Sequence, residues 1–494
     1  MRRWGVVALV ASLVALAPRA RATLTPGFTG GAFPAGWDHT LANHDAEPAV
    51  AVTPDGVLWA TSIVVGRDPR GGGQDVWRST DHGGSWQWVA APFNATSHDP
   101  VIGGDDADLV VARGRNAAGN YNVYAASLWV GAGVDGLLAG DISLALSPDN
   151  GASWIVHPLA AELPADDRPW LAADGACRVY LVYHSGPTVA NVVNTYDLCD
   201  PAAAVEGLTL APIASSRYPD LAVPFLLQQP AMYVTVGFGK PAVGPVSHDL
   251  YVPMVDCPAL TPQQEIARAQ SREPNCPDGQ HAAVFVAVGK DNATSWTVHR
   301  VAVSPYGAVP IWPATIAADG KGKLYLAWHD NHHAFLQTSS DGAVTWSAAQ
   351  QLDPDDSTAV YPTVGAAGNG VVQVAWYGTG AVGDANDPAA MTGTTWRLYR
   401  ATSSDAAPGQ LVGQPQVVDD HVHDGVLCTR GTSCAVPDTR SLLDDFGIVL
   451  FPQGDAAVVY TNDQPGGGFA NDVTRWAMLP RRPPACRGDR LPAC

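Results

Sequence analysis

The strongest constraint on this chain is a short segment that recurs. Ser79-Thr-Asp-His-Gly-Gly-Ser-Trp86 and Ser147-Pro-Asp-Asn-Gly-Ala-Ser-Trp154 nearly coincide. Ser339-Ser-Asp-Gly-Ala-Val-Thr-Trp346 and Gly289-Lys-Asp-Asn-Ala-Thr-Ser-Trp296 are weaker copies. The shared frame is S-x-D-x-G-x-S/T-W, with alanine at the glycine position in the weaker pair. The physical content is a hairpin turn. The Asp carboxylate accepts hydrogen bonds from turn amides, glycine supplies a positive φ, and the Trp buries its ring on returning to the sheet. One copy means little, whereas four copies spaced at the length of a small sheet describe a repeat protein.

A second repeat runs alongside the first. Glu47-Pro48 through Trp59, Arg168-Pro169 through Tyr183, Trp312-Pro313 through Trp328 and Tyr361-Pro362 through Trp376 share one plan. Each opens on X-Pro, continues as an apolar strand, turns, and returns as an apolar strand ending in aromatics. Asp99-Pro100 through Val111 and Tyr218-Pro219 onward are looser copies, and Asp445-Phe446 through Tyr460 is a copy without the proline. Alternation such as Leu324-Tyr-Leu-Ala-Trp328 is strand-like, and Pro54-Asp55-Gly56 and Asp319-Gly320 are hairpin chemistry. The openings number seven. One of these, around residues 217 to 300, can also be read as a long insertion, which would leave six. With 50 glycines, 40 prolines and 16 tryptophans, the composition is that of an all-β chain of many short strands. A single small sheet cannot bury both faces, so the repeats are expected to stack around an axis.

The S-x-D-x-G-x-S/T-W frame resembles the Asp-box, or BNR, repeat of sialidase-like β-propellers. The resemblance is specific at the four boxes and covers most of the chain as architecture. It implies a six- or seven-bladed β-propeller, with seven blades preferred, over residues 23–480. It also implies that Asp81, Asp149, Asp291 and Asp341 are structural residues on the rim, between the outer strands of a blade. Family sialidases use an arginine cluster for the substrate carboxylate, a Tyr-Glu nucleophile pair and an Asp acid/base, with an early arginine in an R-I-P motif. The nearest match here, Asp167-Arg168-Pro169-Trp170, departs from that motif and falls in the third unit rather than the first.

The ends and the charge bound the setting. Arg2 and Arg3, an apolar run from Gly5 to Ala17 and Ala20-Arg21-Ala22 read as a signal peptide over residues 1–22. A secreted, extracellular or periplasmic protein follows, with no membrane insertion. The eight cysteines fall as neighbours: Cys177 with Cys199, Cys257 with Cys276, Cys428 with Cys434, and Cys486 with Cys494 in a tail over 481–494. An even count in an exported chain favours disulfides, sequential pairing being the first expectation although spacing leaves connectivity open. The formal net charge of −19, from 28 basic and 47 acidic residues, argues against nucleic acid as a partner.

If the X-Pro openings share one end, they gather acids, arginines and aromatic rings around one mouth. Such a mixture suits a glycan or glycoconjugate, since rings stack on the apolar face of a sugar and polar groups bond its hydroxyls. Glycoside hydrolysis needs two carboxylates, one protonated and one ionised. The candidates for those roles are Glu47, Asp99, Asp167 and Asp445, with Asp166 and Asp444 beside them. The candidates for substrate binding are Arg168, Arg217, Tyr218, Trp312, His329, Asp330, Tyr361 and Arg440. Two functional readings stay open: a monomeric exo-glycosidase, or a non-catalytic lectin-like or protein-docking module. No metal or other cofactor is expected, although clustered Asp residues leave room for structural calcium. His421-Val-His423 and His329-Asp-Asn-His332-His333 are read as exposed loop histidines with respect to metal binding. The Cys428–Cys434 segment reads as a stapled loop, either a wall of the mouth or a stabilising element. Gly71–Gly73 and Gly466–Gly468 lack the strand–glycine–helix context of a phosphate loop and are read as hairpin loops.

Overall fold

The computed structural model describes residues 24–34, 45–64, 73–90, 92–93, 103–129, 141–157, 160, 166–185, 190–199, 214–217, 237–258, 264, 275–307, 310, 314–368, 370–404, 407–430, 434, 439–443, 445–464, 466–468 and 471–481. Among them, the strands form seven antiparallel sheets, one per blade. Blade one is β2 (Asp45–Val52), β3 (Leu58–Val64), β4 (Gln74–Ser79) and β5 (Gln87–Val89). Blade two is β6 (Gly104–Arg115), β7 (Tyr121–Trp129), β8 (Ile142–Ser147) and β9 (Ile155–His157). Blade three is β10 (Asp166–Asp174), β11 (Arg178–Ser185), β12 (Ala190–Asp197) and β13 (Ala214–Arg217).

Blade four has two short strands at its inner edge, β14 (Gly237–Phe238) and β15 (Ala242–Val243). They are followed by β16 (Leu250–Asp256), β17 (Ala283–Lys290) and β18 (Ser295–Val303). The region that also read as an insertion is therefore a true blade. Blade five is β19 (Ala314–Ala318), β20 (Leu324–His329), β21 (Ala334–Ser339) and β22 (Gln350–Gln351). Blade six is β23 (Thr358–Ala366), β24 (Val372–Thr379), β25 (Thr395–Ser404) and β26 (Ala407–Asp424). Blade seven takes β27 (Gly447–Leu450), β28 (Ala456–Asn462) and β29 (Val473–Leu479) from the end of the chain and β1 (Thr29–Ala32) from its start.

The innermost strands touch in a closed circuit: β2, β6, β10, β15, β19, β23, β27 and back to β2. Closure packs the inner sheet edges around one axis and shields them, and β1 on β29 locks the ring between the two ends of the chain. Each blade buries apolar side chains on both faces, with Trp59, Trp77, Trp170, Trp376 and Trp396 fully enclosed between blades. Blades four and five approach at backbone distance: a Cβ on Gly239 would stand 1.6 Å from the carbonyl oxygen of Ala314. Gly239→Ala is therefore expected to cost about 3 kcal/mol, read as a lowered denaturation midpoint.

Strand alternation sorts the connections onto two faces. The four S-x-D-x-G-x-S/T-W segments all join the third strand of a blade to the fourth, in blades one, two, four and five. In the first, Ser85 N donates to Asp81 Oδ1 at 2.8 Å, Ser85 Oγ to Asp81 Oδ2 at 2.6 Å and Gly83 N to Ser79 Oγ at 2.8 Å. Asp149 and Asp341 repeat the pattern with Ser153 and Thr345. The inner-strand openings and the second-to-third-strand loops lie on the opposite face. That face is the mouth.

Candidate functional site

The X-Pro residues owe their placement to a β-bulge that recurs around the ring. Register slips between Ala46 and Ala49, between Asp167 and Trp170, and between Val360 and Thr363. Within those gaps Glu47, Arg168 and Tyr361 sit at φ of 50°, 59° and 53°. Left-handed backbone just before proline is strained for a residue with a side chain, and bulges of this kind re-aim side chains. Blade two builds the same bulge without proline: register slips between Asp105 and Ala107, with Asp106 in the gap at φ 20°. The expected opening at Asp99-Pro100 lies outside the described residues, and β6 begins at Gly104. Asp106 thus occupies the position that sequence alone gave to Asp99. Its cue was the acid pair Asp105-Asp106 directly ahead of the apolar run at Leu109.

These bulges bring carboxylates together. Asp106 Oδ2 accepts the backbone amide of Arg168 at 3.2 Å. Glu47 Oε1 lies 3.8 Å from Arg440 Nη2, and Arg168 Nε lies 4.0 Å from Asp167 Oδ2. Burial acts to raise the Asp106 pKa, but hydrogen bonds with Asp167 and Glu47 and the charges of Arg168 and Arg440 outweigh it, and the net direction is down. Asp167 goes the other way. Burial first, then the charge and hydrogen bond of Asp106, hold its carboxyl well above the ordinary range. Asp167 is thus the member of the pair that favours its proton, and Asp106 the member that favours its charge. The Asp167 side chain keeps 24% of its exposure, against 2% for Glu47. Asp167 is therefore the member of the group that faces the mouth.

Glu47, Asp105 and Asp106 each bring one oxygen to within 4.8 Å of the others. Asp106 is already committed to the Arg168 amide and to Asp167, and two arginines supply counter-charge. The trio is read as part of the hydrogen-bonded network. Cys177 and Cys199, which lie with Asp197, are disulfide-bonded and offer no thiolate.

The remaining candidates divide into separate places. His329, Asp330 and Tyr361 meet between blades five and six. The Tyr361 hydroxyl donates to Cys428 O at 3.2 Å, and its ring stands 5.4 Å from that of His329, edge to face. Thr429 ties the stapled loop to Asn331 Oδ1 at 2.7 Å and to Asn386. Cys428 and Thr429, at the start of the stapled loop, are thus held against blades five and six. Asp445 lies deeper, its Oδ2 3.4 Å from Lys240 Nζ. Arg217 ends β13, the outermost strand of blade three, three strand spacings or roughly 14 Å of backbone from Arg168 on β10. Tyr218 and Trp312 lie outside the described residues.

The reading of the histidines as exposed is corrected for His329 and His423. His329 and His423 are 1% and 4% exposed, and His423 Nδ1 pairs with Asp463 Oδ2 at 2.6 Å. Both end strands that run up to the mouth, where polar loops fold over them. Three of the four expected disulfides are present, Cys177–Cys199, Cys257–Cys276 and Cys428–Cys434. Cys486 and Cys494 lie outside the described residues, as does the segment read as a signal peptide. Among the described residues, no helix is long and apolar enough to cross a membrane.

His184 escaped the sequence reading. It is the cross-strand partner of Asp167 on β11, fully enclosed, with Nδ1 3.2 Å from Asn191 Oδ1. Burial, with the Arg168 charge adding to it against the Asn191 hydrogen bond, lowers its pKa to about 4. The folded state therefore resists a proton that the unfolded chain accepts near pH 6.5, so stability falls as pH drops from about 6.5 to 4. That loss is expected to reach about 3 kcal/mol. His184→Gln is expected to flatten the decline, as measured by urea denaturation at stepped pH.

No protein-family model matches the chain, and no curated protein does. Solved structures do resemble it. The α-L-arabinofuranosidase Arb93A of Fusarium graminearum is 12% identical, with a TM-score of 0.43 over 92% of this chain and 98% of that one. An α-L-arabinanase of Penicillium chrysogenum is 11% identical, with a TM-score of 0.43 over 91% and 97%. The NanB sialidase of Streptococcus pneumoniae is 10% identical, with a TM-score of 0.40 over 92% and 70%.

Proposed function

We propose that this is a secreted propeller that binds a glycan across its mouth and hydrolyses a glycosidic bond there. The observation that carries this reading is the divergence of two touching carboxyls, Asp167 raised and Asp106 lowered. A pair of acids pushed apart in this way supplies a proton donor at pH values above the ordinary carboxyl range, beside a fixed negative charge. Asp167 is the general acid that protonates the leaving oxygen. Glu47 is the second carboxyl of the group, its Oε1 3.8 Å from Arg440 Nη2. Asp106 is the ionised member, its charge favoured by hydrogen bonds with Asp167 and Glu47 and by the charges of Arg168 and Arg440. Arg168 and Arg440 present cations to substrate hydroxyl or carboxylate oxygens.

A second reading, a non-catalytic glycan-binding module, is favoured by one observation. Glu47 is 2% exposed, so it stands behind its neighbours rather than in front of them. Release assays on the mature protein with mixed fluorogenic glycosides, a sialoside and an arabinofuranoside among them, separate the two. Turnover that Asp167→Asn abolishes supports the hydrolase. No release from any substrate, together with retention on a glycan array, establishes the binding module.

A further inference from the structure

The hairpin between β28 and β29 carries a cluster of oxygens that the glycan site does not use. Its last register pair is Asn462 and Val473, so Asp463 and Asp472 face each other one step beyond, at the base of the loop. The pair before it is Thr461 and Thr474. Side chains alternate along strands, which turns Thr461, Asp463, Asp472 and Thr474 to one side of the hairpin.

Asp472 is the anomaly. It is fully enclosed, and both of its carboxylate oxygens lack a hydrogen-bond partner among the described residues. Thr461 Oγ1, equally enclosed, lacks one too. A buried carboxylate left alone costs several kcal/mol. Burial and then the Asp463 charge push the Asp472 carboxyl up to about 9, with no opposing cause.

The nearby imidazole is bonded to the cluster's own Asp463, whose Oδ1 also accepts from Gln464 Nε2 at 2.9 Å. His423 Nδ1 pairs with Asp463 Oδ2, and its Nε2 lies 2.9 Å from Val426 O. The loop is built to wrap closely. Gly466, Gly467 and Gly468 have φ of 128°, 65° and 81°, and Gly467 N and Gly468 N return to Asp463 O and Oδ2 at 2.9 and 3.2 Å. Consecutive positive φ values, which glycine adopts freely, turn the amides of Gly467 and Gly468 back toward Asp463.

We propose that Thr461, Asp463 and Asp472 form a site for one hard divalent cation of the calcium type, closed by the glycine loop. Carboxylate and hydroxyl oxygens without thiolate or free imidazole select such an ion, and an irregular loop suits the flexible coordination of calcium better than the strict octahedron of magnesium. By topology the hairpin loop lies on the mouth face, and His423 links it to β26 of blade six. The cation would therefore pin blade seven against blade six beside the mouth. The site is independent of the hydrolase reading.

The test uses the full chain, stripped with EDTA and titrated with calcium chloride while thermal unfolding is followed. Calcium at about 1 mM is expected to raise the midpoint by about 3 °C, with magnesium giving less. Metal analysis of chain purified without chelator is expected to find one calcium per chain. Asp472→Asn is expected to remove the calcium response. Thr461→Val, which keeps shape but removes an oxygen, is expected to weaken it, and this second variant serves where the first fails to fold. Absence of bound calcium together with an unchanged midpoint in the wild-type chain would overturn the proposal. An equal calcium response in both variants would overturn it as well.

Discussion

Asp167→Asn is expected to lower glycoside release by about 10²- to 10⁴-fold, the contribution of a positioned general acid, with glycan affinity little changed. The shape of the loss follows from protonation. The acid works in its protonated form, so wild-type release falls as pH rises through the Asp167 pKa, which lies well above the ordinary carboxyl value. The amide has no such limb, and whatever residual release remains is flat on the alkaline side. Stability moves the other way. A carboxyl whose folded pKa is raised favours folding below the unfolded value, near pH 4, and loses that advantage as pH rises. The unfolded chain gives up its proton near pH 4 while the folded chain retains one, so the substitution stabilises at neutral pH. Activity lost with the denaturation midpoint maintained or raised distinguishes a catalytic group from a structural one. A variant that releases sugar at the wild-type rate removes Asp167 from the chemistry.

The second large effect concerns the inner ring. Lys240, between β14 and β15, reaches Asp108 Oδ1 on β6 at 3.0 Å and Asp445 Oδ2 ahead of β27 at 3.4 Å. Its ammonium also stands 5.3 Å from the Trp170 ring centroid on β10. Blades two, three, four and seven thus meet through one cation. Burial alone would lower the Lys240 pKa, but the charges of Asp108 and Asp445 outweigh it and the net direction is up. Asp108 in turn accepts the backbone amides of Leu109 at 2.9 Å and Leu171 at 2.8 Å, which join blades two and three.

Removing the ammonium takes a cation away from two enclosed carboxylates. Lys240→Met, which keeps most of the aliphatic stem, is expected to cost about 3 to 5 kcal/mol, read from urea denaturation. Adding Asp108→Asn and Asp445→Asn is expected to recover part of the loss, because the cost comes from uncompensated charge rather than from a cavity. A single variant as stable as the wild type would mean that solvent reaches these carboxylates and screens them.

Much of the architecture is local and therefore legible in the chain. The S-x-D-x-G-x-S/T-W segments close their hydrogen bonds within four residues, as Asp81 with Ser85 and Asp341 with Thr345 show. Their position between third and fourth strands follows from a turn that needs nothing beyond itself. The X-Pro steps at Glu47, Arg168 and Tyr361 likewise mark the inner strands, although their meaning as bulges with positive φ appears only in the register. The three disulfides join neighbours in sequence for the same reason.

The site depends on contacts between blades, and these leave no local signature. Asp106 meets Arg168 across 62 residues, and Glu47 meets Arg440 from the opposite end of the chain. His184 reaches Asp167 through strand register, Lys240 finds Asp108 and Asp445 across the ring, and Asp472 lies buried beneath a hairpin. A strand's own pattern records which face it buries. Which side chains converge is decided by ring closure, because that alone sets which inner strands become neighbours and which charges are sealed from water together.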